Sequence, residues 1–159
     1  MNKHQVPTDQ DPLKLDNQIC FLLYTASRKM TAAYRPLLTK LGLTYPQYLV
    51  MLVLWEYFGA EAGSKQGIKV SVISQKLQLD NGTLTPLLKR LEAQGLVTRS
   101  RDLEDERVVR IGLTDQGITL KSSAAKVPAT MLCDSGLNPE QFLQIYSELK
   151  SVLNKIPGM

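Results

Sequence analysis

The chain has 159 residues, 43% of them hydrophobic and 21% charged, enough to bury a core of its own as one globular domain. A formal net charge of +4 makes an anionic partner plausible without requiring one, because a bland basic surface carries the same balance. His4 is the single histidine, so a histidine-based metal site and histidine-dependent catalysis both lack ligands, and no apolar run approaches the roughly 20 residues of a membrane span. No metal, no cofactor and no membrane partner are therefore expected. The two cysteines lie far apart with no secretory signal before them, which argues against a disulfide framework and for a reducing, cytoplasmic compartment.

In chain order, residues 1–12 are polar with two prolines and read as a flexible leader. From Leu13 to about Tyr34, the residues Leu15, Ile19, Leu22, Leu23, Ala26, Met30 and Ala33 recur at three- and four-residue intervals, the period of an amphipathic helix. Pro36 is expected to bend or end it. A second helix, apolar nearly all round and hence central, follows from Pro46 to about Tyr57. The glycines between Gly59 and Gly67 mark a loop. Val70 to Leu77 then reads as a short helix, and Asp80, Asn81 and Gly82 form a turn that caps a further helix running to Gln94 and ended by Gly95. Two short helices across a tight polar turn outline a helix-turn-helix. Pro86 lies inside the second, so that either its opening turn is distorted or regular helix begins only near Thr85.

Leu96 to Arg101 and Arg107 to Leu113 alternate apolar with polar or basic residues across the acidic turn Asp102 to Glu106, the pattern of a β-hairpin wing. Asp115 to Val127 and Pro139 to Ile156 are helical by period, the latter carrying the stripe Leu137, Phe142, Ile145, Leu149, Val152 and Leu153. The expected fold is mainly α with a small β-hairpin wing, a winged helix-turn-helix with N- and C-terminal dimerisation helices. Its divisions are an N-terminal helix and dimerisation region at 13–45, the winged helix-turn-helix at 46–114, and C-terminal dimerisation helices at 115–159.

The candidate DNA contacts follow from this arrangement. Asn81, Thr83, Thr85, Pro86, Lys89 and Arg90 lie on a helix that fits the major groove. Arg99, Arg101, Arg107 and Arg110 bring guanidinium groups suited to phosphates or a narrow minor groove. Asp105, two residues before Arg107, is placed to aim that guanidinium by an ion pair. Exposed lysines and arginines are also the default of any surface; the ordered pairing of helix-turn-helix with basic hairpin favours the DNA reading.

The stretches LTYPQYLVMLVLWE (43–56), DNGTLTPLLKRLEAQGLVTRSRD (80–102) and EDERVVRIGLTDQG (104–117) resemble the MarR family of winged-helix transcription regulators. The resemblance implies a homodimer in which the helix from Asn81 reads the major groove of double-stranded operator DNA and Arg107, steadied by Asp105, probes the minor groove. The segment Phe58 to Lys69 is longer and richer in glycine than usual for that family, so that the small strand pairing with the wing is expected to be displaced or extended.

At about 100° per residue, Tyr24, Ser27, Thr31 and Tyr34 lie within roughly 40° of Cys20 on the first helix. Polar or cationic neighbours favour a thiolate, the form that attacks a peroxide, although a small buried hydrophobe is the commoner role of a free cysteine. Tyr24 is one turn away and fits a role in cis, whereas Tyr34 is about 21 Å along the same helix and serves Cys20 only from a second subunit. LDNQICFLLYTAS (15–27) looks like the organic-hydroperoxide repressor branch of the family. That resemblance implies that Cys20 is the peroxide-reactive thiol, that Tyr34 and Tyr45 are its partners across the dimer, and that Cys133 matches the resolving cysteine of two-cysteine members.

The favoured function is a homodimeric repressor that lets go of its operator when an organic hydroperoxide oxidises Cys20, through an intersubunit disulfide to Cys133. One alternative is a repressor of the same family controlled by a non-covalent phenolic ligand. Another is a thiol peroxidase, against which stand the missing C-x-x-C motif and the basic wing. A binding protein rather than an enzyme is expected.

Overall fold

The computed structural model describes Asp11 and residues 13–60 and 67–156. The expected leader, Asp11 aside, and residues 61–66 of the glycine-rich segment lie outside the described residues. Among the described residues seven α-helices and three short strands follow in order: α1 (Ile19–Thr39), α2 (Tyr45–Ala60), β1 (Ile68–Lys69), α3 (Val70–Leu77), α4 (Asn81–Ala93), β2 (Val97–Arg101), β3 (Val109–Leu113), α5 (Asp115–Ala124), α6 (Val127–Asp134) and α7 (Pro139–Lys155).

The first helix differs from its expectation at both ends. In place of the expected helical turn before Ile19 the chain forms a short 3₁₀ turn, Leu15–Asn17. There the Asp11 carboxylate accepts from the Leu13 amide at 3.0 Å and the Asn17 side chain donates to the Asp11 carbonyl at 3.0 Å. Leu13 and Leu15 are exposed, so no apolar burial rewards regular helix at that point. At the other end α1 runs through Pro36 to Thr39. A proline costs one main-chain bond inside a helix, but Leu38 beyond it is 1% exposed, and anchoring that side chain in the core holds the last turn in place.

Helix α2 is central, as its composition requires. Val50, Met51, Leu54 and Trp55 are all buried, each such side chain contributing about 1.5–3 kcal/mol of transfer free energy. Around it pack Ile73 of α3, Leu84, Leu88 and Leu91 of α4, Val97 and Ile111 of the sheet, and Val127 and Met131 of α6. The strands form an antiparallel sheet of order β1-β3-β2, with Val97 opposite Leu113, Arg101 opposite Val109, and Ile68 opposite Ile111. The hairpin is therefore joined by a third strand at the close of the glycine-rich segment. Gly67 enters it with φ +72°, and a Cβ there would lie 2.7 Å from the Ile111 carbonyl oxygen, so both conformation and space call for glycine.

Two further features seat the wing. A Cβ on Gly117 would lie 2.1 Å from the Leu96 carbonyl, so α5 approaches β2 as closely as backbone allows. The Trp55 indole donates to the Gly117 carbonyl at 2.8 Å and fixes that approach from α2. Helix α6, which the periodicity did not single out, starts with Pro128 in its first turn and packs on α1. Helix α7 opens with a capping box in which Asn138 and Gln141 each accept the other's backbone amide, at 2.8 and 3.1 Å. It buries none of its residues, and Phe142, Ile145, Leu149 and Leu153 are exposed.

Candidate nucleic-acid interface and thiol site

Helix α4 begins where Asp80 supplies a cap. One carboxylate oxygen accepts from the Thr83 amide and the other from the Thr83 hydroxyl, both at 2.8 Å. These bonds, the amide first, hold the Asp80 carboxyl below the usual carboxylate range. Regular helix thus starts at Asn81, ahead of Pro86 and not near Thr85. Leu84, Leu88 and Leu91 bury one face. At about 100° per residue the opposite face carries Gly82, Pro86, Lys89 and Arg90, and all four are exposed.

The two threonines differ from the sequence reading. The Thr83 hydroxyl is engaged by Asp80, and the Thr85 hydroxyl donates to the Asn81 carbonyl at 2.7 Å, so both act first as parts of the helix start. Asn81 and Thr85 face a crevice of about 350 Å³ between α4 and the wing, which Arg99 and Arg107 also line. Four of the sequence-derived candidates therefore converge there.

The four wing arginines are unequal. Arg110 pairs through Nε with the Asp102 carboxylate and donates from Nη1 to the Gly67 carbonyl at 3.0 Å. It braces the wing against β1, and its expected role as a phosphate ligand gives way to this one. Asp102 also accepts from the Glu104 and Asp105 amides at 2.9 and 3.3 Å. The Arg110 guanidinium first, and then these amides, hold its carboxyl below the usual range. Arg99 reaches Glu92 of α4 at 3.3 Å, and Arg101 donates to the Glu106 carbonyl. Asp105 does not pair with the Arg107 guanidinium. Its carboxylate accepts from the Arg107 backbone amide at 3.0 Å, which shapes the tip and leaves the side chain exposed and unpaired among the described residues.

The thiol side is spread along α1. Cys20 and Cys133 are free and exposed. Tyr24 is turned to Arg28: its hydroxyl accepts from Nη1 at 2.8 Å, and the guanidinium lies 5.5 Å from the ring centroid. This differs from the expectation of a Tyr24 available to Cys20 in cis. Tyr34 sits at the far end of the same unbroken helix, its ring centroid 5.1 Å from Tyr45 and 6.1 Å from Tyr48, with Trp55 a further 6.4 Å beyond. Burial first, and then neighbouring Tyr45, push the Tyr34 phenol above its ordinary value. A phenol held protonated is a hydrogen-bond donor rather than an anion.

Comparison with known proteins decides the family. Residues 32–124 match the family described as transcriptional regulator SarA/Rot. The organic hydroperoxide resistance transcriptional regulator of Bacillus subtilis is 48% identical over 146 residues, covering 92% of this chain and 94% of that protein. The chain belongs to the MarR/SarA family of winged-helix transcriptional regulators. Reduced AbfR bound to DNA is similar to it in structure, with a TM-score of 0.68 at 35% identity, covering 88% of this chain and 92% of that one. Disulfide-formed AbfR is also similar, at a TM-score of 0.60 and 35% identity over 94% and 99% of the two chains. These relatives are regulators, not enzymes. Among the described residues no helix is long and apolar enough to cross a membrane, and no group of three or more His, Cys, Asp or Glu side chains is placed to hold a metal ion.

In the regulator, sequence reasoning missed Asp102 as the brace of the wing and the amide pair Gln47–Gln94, whose side chains meet at 3.2 Å. Asp102 had a local signal, an acid eight residues before an arginine across a hairpin. Gln47 and Gln94 had none, because nothing in either one's neighbourhood points to the other.

Proposed function

We propose that this chain is a homodimeric repressor that holds double-stranded operator DNA while its thiols are reduced and lets it go when an organic hydroperoxide oxidises Cys20. The observation that carries the reading is an exposed Cys20 thiol on an otherwise apolar stretch of α1, in a chain 48% identical to an organic hydroperoxide resistance regulator. Ile19, Leu22 and Tyr24 are exposed close to it along the helix and Met30 farther on; so much uncovered apolar area on α1 and α7 supports a second copy as the cover. Tyr34 and Tyr45, too far from Cys20 along one chain, then serve it from the partner subunit. Pro86, Lys89 and Arg90 face the major groove, Asn81 and Thr85 meet DNA from the crevice beside the wing, and Arg107 stands at the wing tip. Arg99 and Arg101 stand behind them.

The chemistry balances as two steps. The Cys20 thiolate attacks the distal peroxide oxygen, the O–O bond breaks, and the alkoxide leaves as alcohol after taking a proton, giving sulfenic acid. Cys133 of the partner subunit then attacks that sulfur, forming S–S and expelling water. A disulfide needs Cα atoms within about 7 Å, so any wider separation in the reduced dimer obliges α1 or α6 to move. Half-sites one DNA turn apart tolerate little of that motion. The test is retardation of the chain's own upstream DNA before and after cumene hydroperoxide, with non-reducing electrophoresis alongside. The wild type should lose DNA and gain a covalent dimer, Cys20→Ser should stay bound, and Cys133→Ser should form no covalent dimer. A Cys20→Ser variant that still releases DNA overturns the redox reading.

A further inference from the structure

Among the described residues Gln47 is the buried polar side chain of the core, at 4% exposure. Such a group is costly unless its hydrogen bonds are made, and here they form one continuous run. Its Oε1 accepts from the Thr44 amide at 2.8 Å and from the Thr44 hydroxyl at 2.9 Å. With the oxygen so committed, Nε2 faces Gln94 and donates to its Oε1 at 3.2 Å. Gln94 then donates from its own Nε2 to the Gly42 carbonyl at 2.9 Å. Donors and acceptors alternate along this path, so the orientation of each carboxamide fixes that of the other.

The two ends of the run matter. Gln94 is the residue that closes α4, and its backbone amide still bonds to the Arg90 carbonyl. Gly42 and Thr44 form the corner between α1 and α2, and Tyr45, which follows directly, packs against Tyr34. The corner, which leads directly into Tyr45, is thus tied by hydrogen bonds to the C-terminal end of α4, across 47 residues of sequence. Leu88 and Leu91 seat α4 on the core by non-directional contacts, which allow it to slide or rotate; a directional pair of amides at its end does not.

We propose that Gln47 and Gln94 are positioning residues which set the pose of α4 relative to the α1–α2 corner, so that displacement of the corner is passed to the recognition helix. The inference rests on the reading of the chain as a dimeric, thiol-controlled DNA-binding regulator. Gln94 touches neither thiol nor base in it.

The test uses the full-length reduced protein and a duplex enriched in vitro with the wild type. Two further duplexes have the half-sites moved apart or together by one base pair, a rotation of about 34°. Gln94→Met keeps length and removes both amide bonds at an exposed position; Gln94→Asn keeps the amide one methylene short as a second variant. Affinities come from fluorescence anisotropy. The wild type should discriminate between the spacings by about tenfold or more, and both variants by at least threefold less, with a modest fall in thermal midpoint as the buried Gln47 Nε2 loses its acceptor. After cumene hydroperoxide, the ratio of oxidised to reduced Kd should shrink in the variants while Cys20 is lost at an unchanged rate by thiol counting. A merely structural role would weaken all three duplexes equally and leave their ratios as in the wild type. That outcome, or unaltered discrimination in both variants, overturns the proposal, and so does a wild type indifferent to spacing. A wild type that discriminates spacing but ignores hydroperoxide defeats the redox reading alone and leaves the spacing comparison to decide the coupling. A wild type that enriches no duplex defeats the DNA reading and the coupling with it.

Discussion

Replacing Arg107 and Arg110 separately by alanine distinguishes an arginine that meets DNA from one that holds the wing. Among the described residues the Arg107 guanidinium is exposed and unpaired at the tip, while its backbone amide donates to Asp105 at 3.0 Å. Removing the side chain should leave thermal stability unchanged and remove one phosphate or minor-groove contact per subunit. Each phosphate neutralised contributes about 0.9 to the slope of log affinity against log salt, so a twofold dimer loses about 1.8. Between about 50 and 200 mM salt, a fourfold rise, wild-type affinity should then fall about twelvefold more steeply than that of the variant. Arg110 has side-chain exposure of 19% and faces an Asp102 at 11%. Its loss removes the cation from Asp102 Oδ2 and the side-chain donor from the Gly67 carbonyl, so the thermal midpoint should drop while the salt slope stays close to wild type. The assay is anisotropy across that salt range, paired with thermal melts of both variants. If Arg110→Ala flattens the slope at unchanged stability and Arg107→Ala does not, the assignment of roles within the wing is wrong.

Gly117→Ala places a methyl 2.1 Å from the Leu96 carbonyl oxygen, where ordinary contact begins at 3.4 Å, so α5 must back away and the 2.8 Å bond from Trp55 breaks. Overpacking together with an unsatisfied buried indole N–H should cost about 2–6 kcal/mol and lower the midpoint by about 5–20 °C, measurable by circular dichroism. Gly136→Ala is the contrasting case, with open space but φ +69°. Its cost should be only the backbone term of about 1–2 kcal/mol, and a larger loss than at Gly117 would contradict the packing argument. Asp80 and Asp102 both have carboxyls held below the usual range. Their stabilisation is complete above the unfolded value of about 3.9 and is lost as pH falls through the lower folded values. Urea midpoints taken between about pH 5 and pH 2 should therefore decline, and Asp80→Asn, which still caps a helix, should flatten part of that decline.

The elements whose signal is carried within a few residues were legible in the sequence. The all-round apolar run of α2, the Asp80 cap of α4 and the alternation of the wing strands each depend on one turn or one pleat, and local geometry repeats the same way in any fold. The helix-turn-helix and the wing followed from them, and the family from the resemblance of residues 43–56, 80–102 and 104–117. What depends on the approach of distant segments was decided only in tertiary structure. Pro36 leaves α1 whole because Leu38 beyond it is buried, and Cys133 lies on a helix whose short apolar run gave no period. Arg110, one arginine among four in the wing by composition, is distinguished by Asp102 and the Gly67 carbonyl, which the sheet brings to it. The hydroxyls of Thr83 and Thr85 and the amides of Gln47 and Gln94 took partners that residue type alone does not name. A hydrophobic pattern needs only a buried side to face, whereas a hydrogen bond needs one particular atom within about 3 Å, and that atom's position is a property of the assembled fold.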